Sequence, residues 1–327
     1  MLAGPTASGK SAVALRLASM TGGEVVTVDS MQIYRGLDIG TAKPGPGERG
    51  EAPHHLLDVV EPDAPFDTGR FRMLALEVVQ AILNRGRLPV LCGGTGLYFK
   101  ALLYGLDAMP RGEGTLRAEL EGTPLPELVA ELRSRDPAAS ARIDLANPRR
   151  VQRAVELLRL TGRPLEDSRR CWGSVPDRVS GMVLLLERDR ADLAARIDRR
   201  VEQMFASGLV EETRGLLARG LGGNRTAMQA IGYRQVVEHL GGERDLAATV
   251  ACVKQRTRQL ARRQMTWFRH QLPCRPVPVE REERAELTAR RILKIWSEEL
   301  GGAGSRAAGG GRRAPGTVPG SEAKENH

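Results

Sequence analysis

Apolar residues in the first hundred positions of the chain follow two alternating patterns. Residues 25–28 and 88–92 are short apolar runs, whereas the stretches between and before them carry apolar side chains three or four positions apart. The spaced positions are Val13, Leu17 and Met20 in one stretch, and Phe71, Leu74, Val78 and Ile82 in another. Continuous runs are typical of buried strands and spaced positions of amphipathic helices. Their alternation predicts an α/β fold with a parallel sheet.

The sheet pattern lapses after residue 106 and returns near residue 181. Between these points the chain is charged and reads as helical, and its clearest helix begins with Asn147 as N-cap and Pro148 in the first turn. We therefore predict a helical insertion in the sheet domain. The predicted segments are residues 1–109 (first part of the core), 110–177 (helical insertion), 178–300 (second part of the core, with basic C-terminal helices) and 301–327 (disordered Gly/Arg-rich tail).

A complete phosphate-binding loop begins at the fourth residue. The motif is Gly4-Pro5-Thr6-Ala7-Ser8-Gly9-Lys10-Ser11. Its glycines let successive backbone N–H groups point inward, and the following helix adds its positive N-terminal end, so that an oligophosphate fits. Lys10 reaches the outer phosphate oxygens, and the Ser11 hydroxyl is placed to hold Mg²⁺. The alternative is a glycine-rich turn with an incidental lysine, but the helix and strand that follow favour the phosphate loop.

The motif specifies the fold class as α/β, a P-loop NTPase-like parallel sheet with an inserted all-helical domain. One feature departs from this pattern, since only three residues precede Gly4, where a buried strand of about five residues is usual. Either the first strand is very short or the natural chain begins upstream of Met1. The sequence is compatible with both explanations.

Further candidate residues follow the two apolar runs. Asp29 and Gln32 come directly after residues 25–28, and carboxyl ends of parallel strands gather ligands, so both are expected beside the phosphate loop. An exposed turn is the alternative. Residues 93–96 carry Thr95 among glycines and no carboxylate, which argues against motor-type ATP hydrolysis. Neighbouring His54 and His55 point in different directions on a regular element, which favours structural or phosphate-facing roles over a shared metal.

Positive charge is concentrated in two regions. The net charge is +9, and residues 254–270 contain six Lys or Arg and no acid. On the predicted helix after Asn147, the positions 149, 150 and 153 are arginines that avoid the apolar face. A charged helix face of this kind is usually exposed to solvent. The alternative is that the three arginines contact phosphate groups. A polyanionic partner fits the overall charge.

Cysteine usage and hydropathy indicate the compartment. The four cysteines lie far apart with no C-x-x-C pair, which argues against zinc and against a disulfide framework and suits a reducing cytosol. No apolar run approaches the roughly 18 residues that a membrane span needs. We expect a cytoplasmic protein with no membrane partner, and a monomer.

Seven motifs follow one another in order between Gly4 and about Trp267. They are residues 4–11, Asp29-Ser30-Met31-Gln32 with Tyr34-Arg35, Gly40-Thr41-Ala42-Lys43-Pro44, Pro53-His54-His55, Gly93-Gly94-Thr95, Gly232-Tyr233-Arg234-Gln235, and Thr257-Arg258-Gln259-Leu260-Ala261-Arg262-Arg263-Gln264. In this combination they closely resemble the bacterial-type tRNA dimethylallyltransferases. The short first strand and the Gly/Arg-rich tail depart from the family pattern.

The resemblance implies transfer of a dimethylallyl group from dimethylallyl diphosphate to N6 of the adenosine at tRNA position 37, in tRNAs that read codons starting with U. It implies that the phosphate loop holds the diphosphate with Mg²⁺ on Ser11, that Asp29 is the base, and that Thr95 lines the channel where the substrates meet. Arg234 would assist with the diphosphate or the tRNA. The implied tRNA contacts are Asp29, Ser30, Met31, Gln32, Thr95, Arg117, Arg149, Arg150, Val151, Gln152 and Arg153.

Two other classes of function remain open on the sequence. A P-loop small-molecule or nucleotide kinase, binding ATP, would explain the phosphate loop, Mg²⁺ and the helical insertion, with the arginines as solvated faces. A non-catalytic RNA-binding protein could use nucleotide occupancy as a switch. Loss of turnover with retention of tRNA binding after Asp29→Ala would distinguish the transferase from that switch.

Overall fold

Six strands form the sheet at the centre of the molecule. The computed structural model describes residues 1–106, 114–165 and 182–308. Its strands are β1 (Leu2–Ala3), β2 (Glu24–Val28), β3 (His54–His55), β4 (Pro89–Gly93), β5 (Val183–Glu187) and β6 (Cys274–Pro278). They lie in the order β3-β2-β4-β1-β5-β6, and all neighbouring pairs are parallel. The predicted α/β parallel sheet is confirmed, and the carboxyl ends of β1, β2, β4 and β5 share one edge.

Helices follow most strands. In the part of the chain that the structure describes they are α1 (Lys10–Thr21), α2 (Pro46–Glu51), α3 (Thr68–Asn84), α4 (Gly96–Tyr104), α5 (Gly114–Gly122), α6 (Leu125–Arg135), α7 (Pro137–Arg142), α8 (Pro148–Thr161), α9 (Arg190–Ala206), α10 (Leu209–Ala218), α11 (Tyr233–Leu240), α12 (Leu246–Gln271) and α13 (Ala285–Ala308). Two 3₁₀ turns, Leu221–Gly223 and Ala227–Gln229, lie between α10 and α11. Asn147 caps α8 through its side chain, as predicted.

Both faces of the sheet are buried, because alternate residues of each strand point to opposite sides. On one face Val26, Val28 and Leu185 belong to a large core with α3, α4, α10, α11 and α12. On the other face Val25 and Leu184 belong to a smaller core that α1 and α13 cover. The molecule is therefore a three-layer sandwich of helices, sheet and helices.

Helices α5 to α8 form a separate cluster with its own apolar core. Leu128, Leu132, Val151 and Val155 are almost fully buried in that cluster. It stands between α4 and β5 in the chain, so the predicted helical insertion is present. The predicted boundaries near residues 109 and 177 lie outside the described residues.

The short first strand is central in the sheet. Leu2 pairs with Cys92 of β4 on one side and with Leu184 of β5 on the other. The backbone of Met1 extends this contact, since its carbonyl accepts from the Leu184 amide at 2.9 Å. The start of the phosphate loop therefore follows a strand that is bonded on both sides.

Helix α13 passes residue 301, where the sequence predicted a disordered tail to begin. Ala289 and Ile292 anchor this helix in the core beside α1, and an anchored helix adds further turns without new nucleation. Residues 301–308 are thus helical in the structure, residues 309–327 lie outside the described part, and the disorder of the tail stays a prediction. Within the described ranges, no helix combines the length and hydropathy required to cross a bilayer.

Candidate functional site

A cavity of about 490 Å³ opens at the carboxyl edge of the sheet. The phosphate loop, the ends of β2 and β4, and helices α9 and α12 surround it. Its lining includes the predicted site residues Thr6, Lys10, Ser11, Asp29, Ser30, Met31, Gln32 and Thr95. A second cavity of about 530 Å³ lies beside the junction of β5 and α9 and contains none of the predicted site residues.

The phosphate loop is held from behind by two arginines of the β5–α9 region. Ala7 and Gly9 have positive φ angles of 62° and 92°, which turn the backbone amides of the loop. Arg188 Nε donates to the Ser8 carbonyl at 2.8 Å, and Arg196 Nε donates to the Ala7 carbonyl at 3.0 Å. These two bonds hold the carbonyls of the loop outward and so support its curvature.

Ser8 does not present its side chain to the cavity. It is fully buried, its Oγ has no hydrogen-bond partner in the described structure, and its amide donates to the Pro5 carbonyl at 3.3 Å. A Cβ on Gly4 would lie 2.8 Å from the Ser8 Oγ, so Gly4 is required to accommodate this hydroxyl. Both residues shape the loop, and their contact with a diphosphate stays a prediction.

Two cations face the cavity at the phosphate-loop end. Lys10 Nζ donates to the Pro5 carbonyl at 3.3 Å, and burial lowers the pKa of Lys10 below its usual value. Arg200 of α9 donates from Nη2 to the Thr41 carbonyl at 3.2 Å, while its buried Nε has no partner among the described residues. Burial also lowers the pKa of Arg200. The guanidinium of Arg200 thus brings a second positive charge close to Lys10, and a guanidinium forms strong hydrogen bonds to anions.

Arg200 was not among the residues predicted from the sequence. It lies one position before Val201, next to the apolar stripe that buries Ile197 and Val201, four residues after Arg196. The sequence did offer one indication of its role. Arg196 and Arg200 are one turn apart on α9, beside the apolar positions, and cations at the border of an apolar face are partly buried with it.

Ser11 lies in the first turn of α1 with an exposed side chain. Within the described residues its hydroxyl makes no hydrogen bond, and it lines the cavity together with Asp29. No group of three or more His, Cys, Asp or Glu in the described chain could cage a metal. An ion held by one hydroxyl, substrate phosphates and water, as is usual for Mg²⁺, fits this set of donors.

Asp29 closes a tight turn at the end of β2. Its Oδ1 accepts from the Met31 amide at 2.8 Å and from the Gln32 amide at 3.4 Å. Oδ2 has no hydrogen bond within the described structure and belongs to a residue that lines the cavity. Lys10 and Arg200 both interact electrostatically with this carboxylate. Asp29 is thus a fixed carboxylate with one oxygen available for a proton.

Thr95 ties the ends of β2 and β4 together. Its Oγ1 accepts from the Ser30 amide at 3.0 Å and is 3.3 Å from the Ser30 Oγ, to which it donates. As the N-cap residue of α4 it makes no side-chain bond to that helix. The hydroxyl therefore orients the turn that carries Asp29, and its direct contact with substrate stays a prediction.

Helix α12 clamps the glycine-rich stretch after β4 to the phosphate loop. Gln264 accepts from the Thr6 amide at 2.9 Å and donates to the Gly94 carbonyl at 3.0 Å. A Cβ on Gly94 would lie 2.6 Å from Gln264 Nε2, and one on Gly96 would lie 2.1 Å from the ring of Trp267. The glycines at this strand end thus permit close packing of α12.

The predicted tRNA contacts on the insertion are only partly at the surface. Val151 is fully buried in the insertion core, on the inner face of α8. Its side chain is therefore turned away from the surface, and its contact with tRNA stays a prediction. Gln152 is half-buried and donates to the Leu120 carbonyl at 3.3 Å. Arg150 is exposed.

Two of the insertion's arginines are organised by one buried carboxylate. Arg117 donates to Glu156 at 2.7 Å and Arg153 donates to it at 2.5 Å. Burial acts to raise the pKa of Glu156, but both arginines outweigh it and hold that pKa below its usual value. Each guanidinium keeps about half of its side chain exposed, 56% for Arg117 and 40% for Arg153. A phosphate can therefore approach them.

Arg149 bridges the insertion to the core. Its Nη1 donates to Gln229 Oε1 at 2.5 Å, and Gln229 lines the cavity. A neighbouring ion pair between Arg225 and Glu121 makes a second link between the same two parts. The insertion thus meets the core beside the cavity entrance.

Arg234 lies away from the cavity. It is exposed on α11, its guanidinium pairs with Glu238 one turn later, and it does not line the cavity. A direct bond to a diphosphate there is therefore not supported, because the helix turns this side chain to solvent. The alternative contact with tRNA stays a prediction.

The two adjacent histidines serve the opposite edge of the sheet. His55 Nε2 lies 2.5 Å from the carboxylate of Glu24, the first residue of β2, and His54 Nδ1 lies 2.8 Å from the Ala52 carbonyl. Hydrogen bonding from Arg85 lowers the pKa of Glu24 to about 2. These contacts give both histidines structural roles.

Comparison with known proteins places the chain in a family. The model of the family described as IPP transferase matches residues 32–271, and that of isopentenyl transferase matches residues 1–53. The chain belongs to the IPP transferase family. A tRNA dimethylallyltransferase of Geobacter metallireducens is 47% identical over 273 residues, covering 81% of this chain and 87% of the relative. One of Anaeromyxobacter dehalogenans is 47% identical, covering 82% of this chain and 91% of the relative.

Solved structures of the family agree with this fold. The full-length tRNA isopentenylpyrophosphate transferase of Bacillus halodurans is 35% identical, with a TM-score of 0.69, and covers 94% of this chain and 98% of its own. A eukaryotic dimethylallyltransferase crystallised acting on tRNA shares the fold, with a TM-score of 0.75 at 24% identity. The predicted P-loop NTPase-like class is confirmed.

Proposed function

We infer that the protein transfers a dimethylallyl group from dimethylallyl diphosphate to N6 of the adenosine at tRNA position 37. The products are N6-(dimethylallyl)adenosine and diphosphate, in tRNAs that read codons starting with U. The observation that carries this proposal is that the phosphate loop and the free oxygen of Asp29 face one cavity, in a chain whose relatives are tRNA dimethylallyltransferases. A kinase would explain the phosphate loop, but these relatives favour the transferase.

The diphosphate end of the reaction belongs to the phosphate loop. The backbone N–H groups of the loop that have no partner in the protein bind the phosphate oxygens, and the positive charges of Lys10 and Arg200 neutralise the charge that grows as the allylic C–O bond breaks. Both cations are partly stripped of water, so their interaction with a diphosphate is stronger than at the surface. Binding of the anion favours protonated Lys10, opposing the lowering of its pKa by burial.

Mg²⁺ would be held by the Ser11 hydroxyl together with diphosphate oxygens and water. When bound, the ion supplies additional positive charge to the leaving diphosphate. The protein's own residues position that group through the loop amides, Lys10 and Arg200, and Arg188 and Arg196 keep the loop in shape through its carbonyls.

The base end of the reaction belongs to the turn after β2. The N6 lone pair of adenine is delocalised into the ring, so the amine becomes nucleophilic only as its proton leaves. Oδ2 of Asp29 accepts that proton while the new C–N bond forms, and the proton then passes to solvent. Since Oδ1 is bonded to two backbone amides, the carboxylate cannot rotate away from the cavity.

The adenosine reaches this cavity only when it leaves the anticodon stack. Flipping costs a few kcal/mol, which contacts with the RNA backbone must offset. The exposed guanidinium groups of Arg117, Arg150 and Arg153 on the insertion are suited to phosphate oxygens. The exposed arginines Arg256 and Arg262 of α12 add positive charge on the core.

The test is a mass measurement on anticodon stem-loop RNA incubated with Mg²⁺ and dimethylallyl diphosphate. We expect a gain of one C5 unit, absent when ATP replaces the diphosphate. Asp29→Asn keeps the shape of the turn but removes the base, so kcat should fall about 10²- to 10⁴-fold while RNA affinity is retained. Asp63→Asn, on an exposed loop outside the cavity, should leave kcat unchanged.

Unchanged kcat in Asp29→Asn would remove Asp29 from the role of base. Unchanged RNA mass with the native protein would refute the transferase itself, and turnover of ATP with a small acceptor would then support the kinase.

A further inference from the structure

One backbone carbonyl supports the two side chains that serve the two ends of the cavity. The Thr41 carbonyl accepts from Gln32 Nε2 at 3.1 Å and from Arg200 Nη2 at 3.2 Å. Thr41 belongs to a short turn of residues 38–42, which we call the Thr41 turn. Gln32 lies in the Asp29 turn, where the base is expected, and Arg200 lies near Lys10, where the diphosphate is expected. The position of this carbonyl therefore affects both substrates.

The Thr41 turn is held from outside the cavity by a carboxylate on α10. Glu212 accepts from the Ile39 amide at 2.9 Å and from the Gly40 amide at 3.5 Å. It also accepts from the Tyr233 hydroxyl at 2.6 Å, and that hydroxyl accepts from the Gly40 amide at 3.0 Å. A charged acceptor that gathers three donors makes strong, directional bonds.

Tyr233 packs tightly against Gly40, so the Thr41 turn cannot move towards this side chain. It is fully buried, and a Cβ on Gly40 would lie 2.5 Å from its ring. Neither Glu212 nor Tyr233 lines the cavity, although Gly40 and Thr41 do. The two side chains touch the turn from behind.

Lys43, directly after the Thr41 turn, fixes the turn by a second set of bonds that does not involve Glu212 or Tyr233. Lys43, whose side chain is only 1% exposed, pairs with Asp38 and Asp58 at 2.6 Å each and donates to the Tyr34 carbonyl at 2.7 Å. The turn is therefore bonded on both sides, and its Thr41 carbonyl points to the cavity between them.

We propose that Glu212 and Tyr233 are positioning residues of the transfer reaction, which act through the Thr41 carbonyl on Gln32 and Arg200. This inference rests on the proposed function. Loss of the Glu212 carboxylate releases the Ile39 and Gly40 amides, the Thr41 carbonyl shifts, and the amide of Gln32 and the guanidinium of Arg200 lose a shared acceptor. The residues that contact substrate remain chemically intact but are less ordered.

The test compares Glu212→Gln with Glu211→Gln. The neighbouring Glu211 is exposed on the same helix and pairs only with Arg214 among the described residues. We expect Glu212→Gln to lower kcat/KM about tenfold for both dimethylallyl diphosphate and stem-loop RNA, because a charged hydrogen bond is replaced by a neutral one. Glu211→Gln should remain within twofold of the native protein.

A double-mutant cycle separates positioning from a general structural role. In an Arg200→Lys background, Glu212→Gln should lower kcat/KM for dimethylallyl diphosphate by less than about twofold, because the side chain through which it acts is already altered. In a Gln32→Leu background the same should hold for kcat/KM with RNA. If Glu212 had only a structural role, Glu212→Gln would lower the Tm, and its effect on kcat/KM would be the same in the native and in both mutant backgrounds.

Tyr233→Phe carries the test if Glu212→Gln fails to fold, since it removes only the hydroxyl that joins Gly40 to Glu212. Full additivity in both cycles, or native kcat/KM in the folded variants, overturns the proposal. If the native protein transfers no C5 unit, the proposed function fails first. If it does transfer and the variants match Glu211→Gln, only this inference fails.

Discussion

Gln32 shows how a single amide can be restricted to one chemical role. Its Nε2 donates to the Thr41 carbonyl at 3.1 Å and to the Ala42 carbonyl at 3.3 Å, so both amide hydrogens are used. Oε1 has no hydrogen bond within the described structure, and the residue lines the cavity. Only the acceptor Oε1 is therefore available to a substrate. It can accept a hydrogen bond from the amino group of adenine, but it would repel the carbonyl oxygen of guanine or hypoxanthine.

Gln32→Leu should therefore weaken recognition of the base and leave the diphosphate end largely intact. We expect KM for stem-loop RNA to rise about 5- to 20-fold, as for the loss of one to two hydrogen bonds, with KM for dimethylallyl diphosphate within about threefold. Competition by a stem-loop carrying inosine at position 37 should become relatively stronger. Gln255→Leu, on an exposed part of α12, is the control. Equal discrimination in both variants would contradict a role in base selection.

At the residue scale, the sequence located contacts that are close along the chain and missed those that are distant. Lys10 and Ser11 belong to one contiguous motif, so their common placement at the cavity could be predicted. Arg200 and the Thr41 carbonyl are 159 positions apart, and Glu212 and Ile39 are 173 apart. No local pattern specifies such pairs, because they depend on how α9 and α10 pack against the Thr41 turn.

At the scale of elements, long periodic helices and central strands were predictable and edge strands were not. Helix α12 begins after Asp245, whose side chain accepts from the Ala248 amide, as its N-cap position indicates. Strand β6 contains Pro276 and Pro278, and proline is unfavourable in a central strand because it lacks an N–H group. It lies at the edge of the sheet, where a missing N–H is tolerated.

The packing of α12 on the start of α4 gives a stability prediction. Gly96→Ala places a methyl group 2.1 Å from the nearest ring atom of Trp267, so the two elements must separate. We expect a loss of about 1–3 kcal/mol in the free energy of unfolding, measured by chemical denaturation. Gly47→Ala, on α2 with nothing within 4 Å of the added methyl group, should cost nothing or slightly stabilise.

The source of the Gly96 effect can be checked with a second substitution. If the clash is with the indole, Trp267→Leu should cost less in the Gly96→Ala background than in the native protein. Additive losses would show that the added methyl group acts through the backbone of α4 instead.

At the scale of the whole molecule, the excess positive charge is not uniformly available to a partner. In the basic helix α12, Lys254 pairs with Glu202, Arg258 with Asp198 and Arg269 with Glu187. The sequence predicted the cationic stretch but not these pairings, because the acids lie on β5 and α9. The insertion was predicted from its helical pattern, whereas its links to the core, including Arg149 with Gln229, depend on tertiary packing.

Arg150 is the insertion cation best suited to test phosphate contact, because it is exposed and its side chain has no ion pair among the described residues. Each phosphate neutralised in a single-stranded loop contributes about 0.7 to the slope of log K against log salt concentration. Arg150→Gln should reduce that slope by about this amount, measured by fluorescence anisotropy with stem-loop RNA between roughly 50 and 200 mM salt. Arg214→Gln, on α10 and paired with Glu211, removes the same charge from the molecule and is the control.

If the two variants reduce the slope equally, RNA binding depends only on the net charge of the protein, and the insertion is not the specific docking surface for the RNA. A reduction confined to Arg150→Gln would place RNA phosphate at the N-terminal turn of α8, beside the Arg149 link to the cavity.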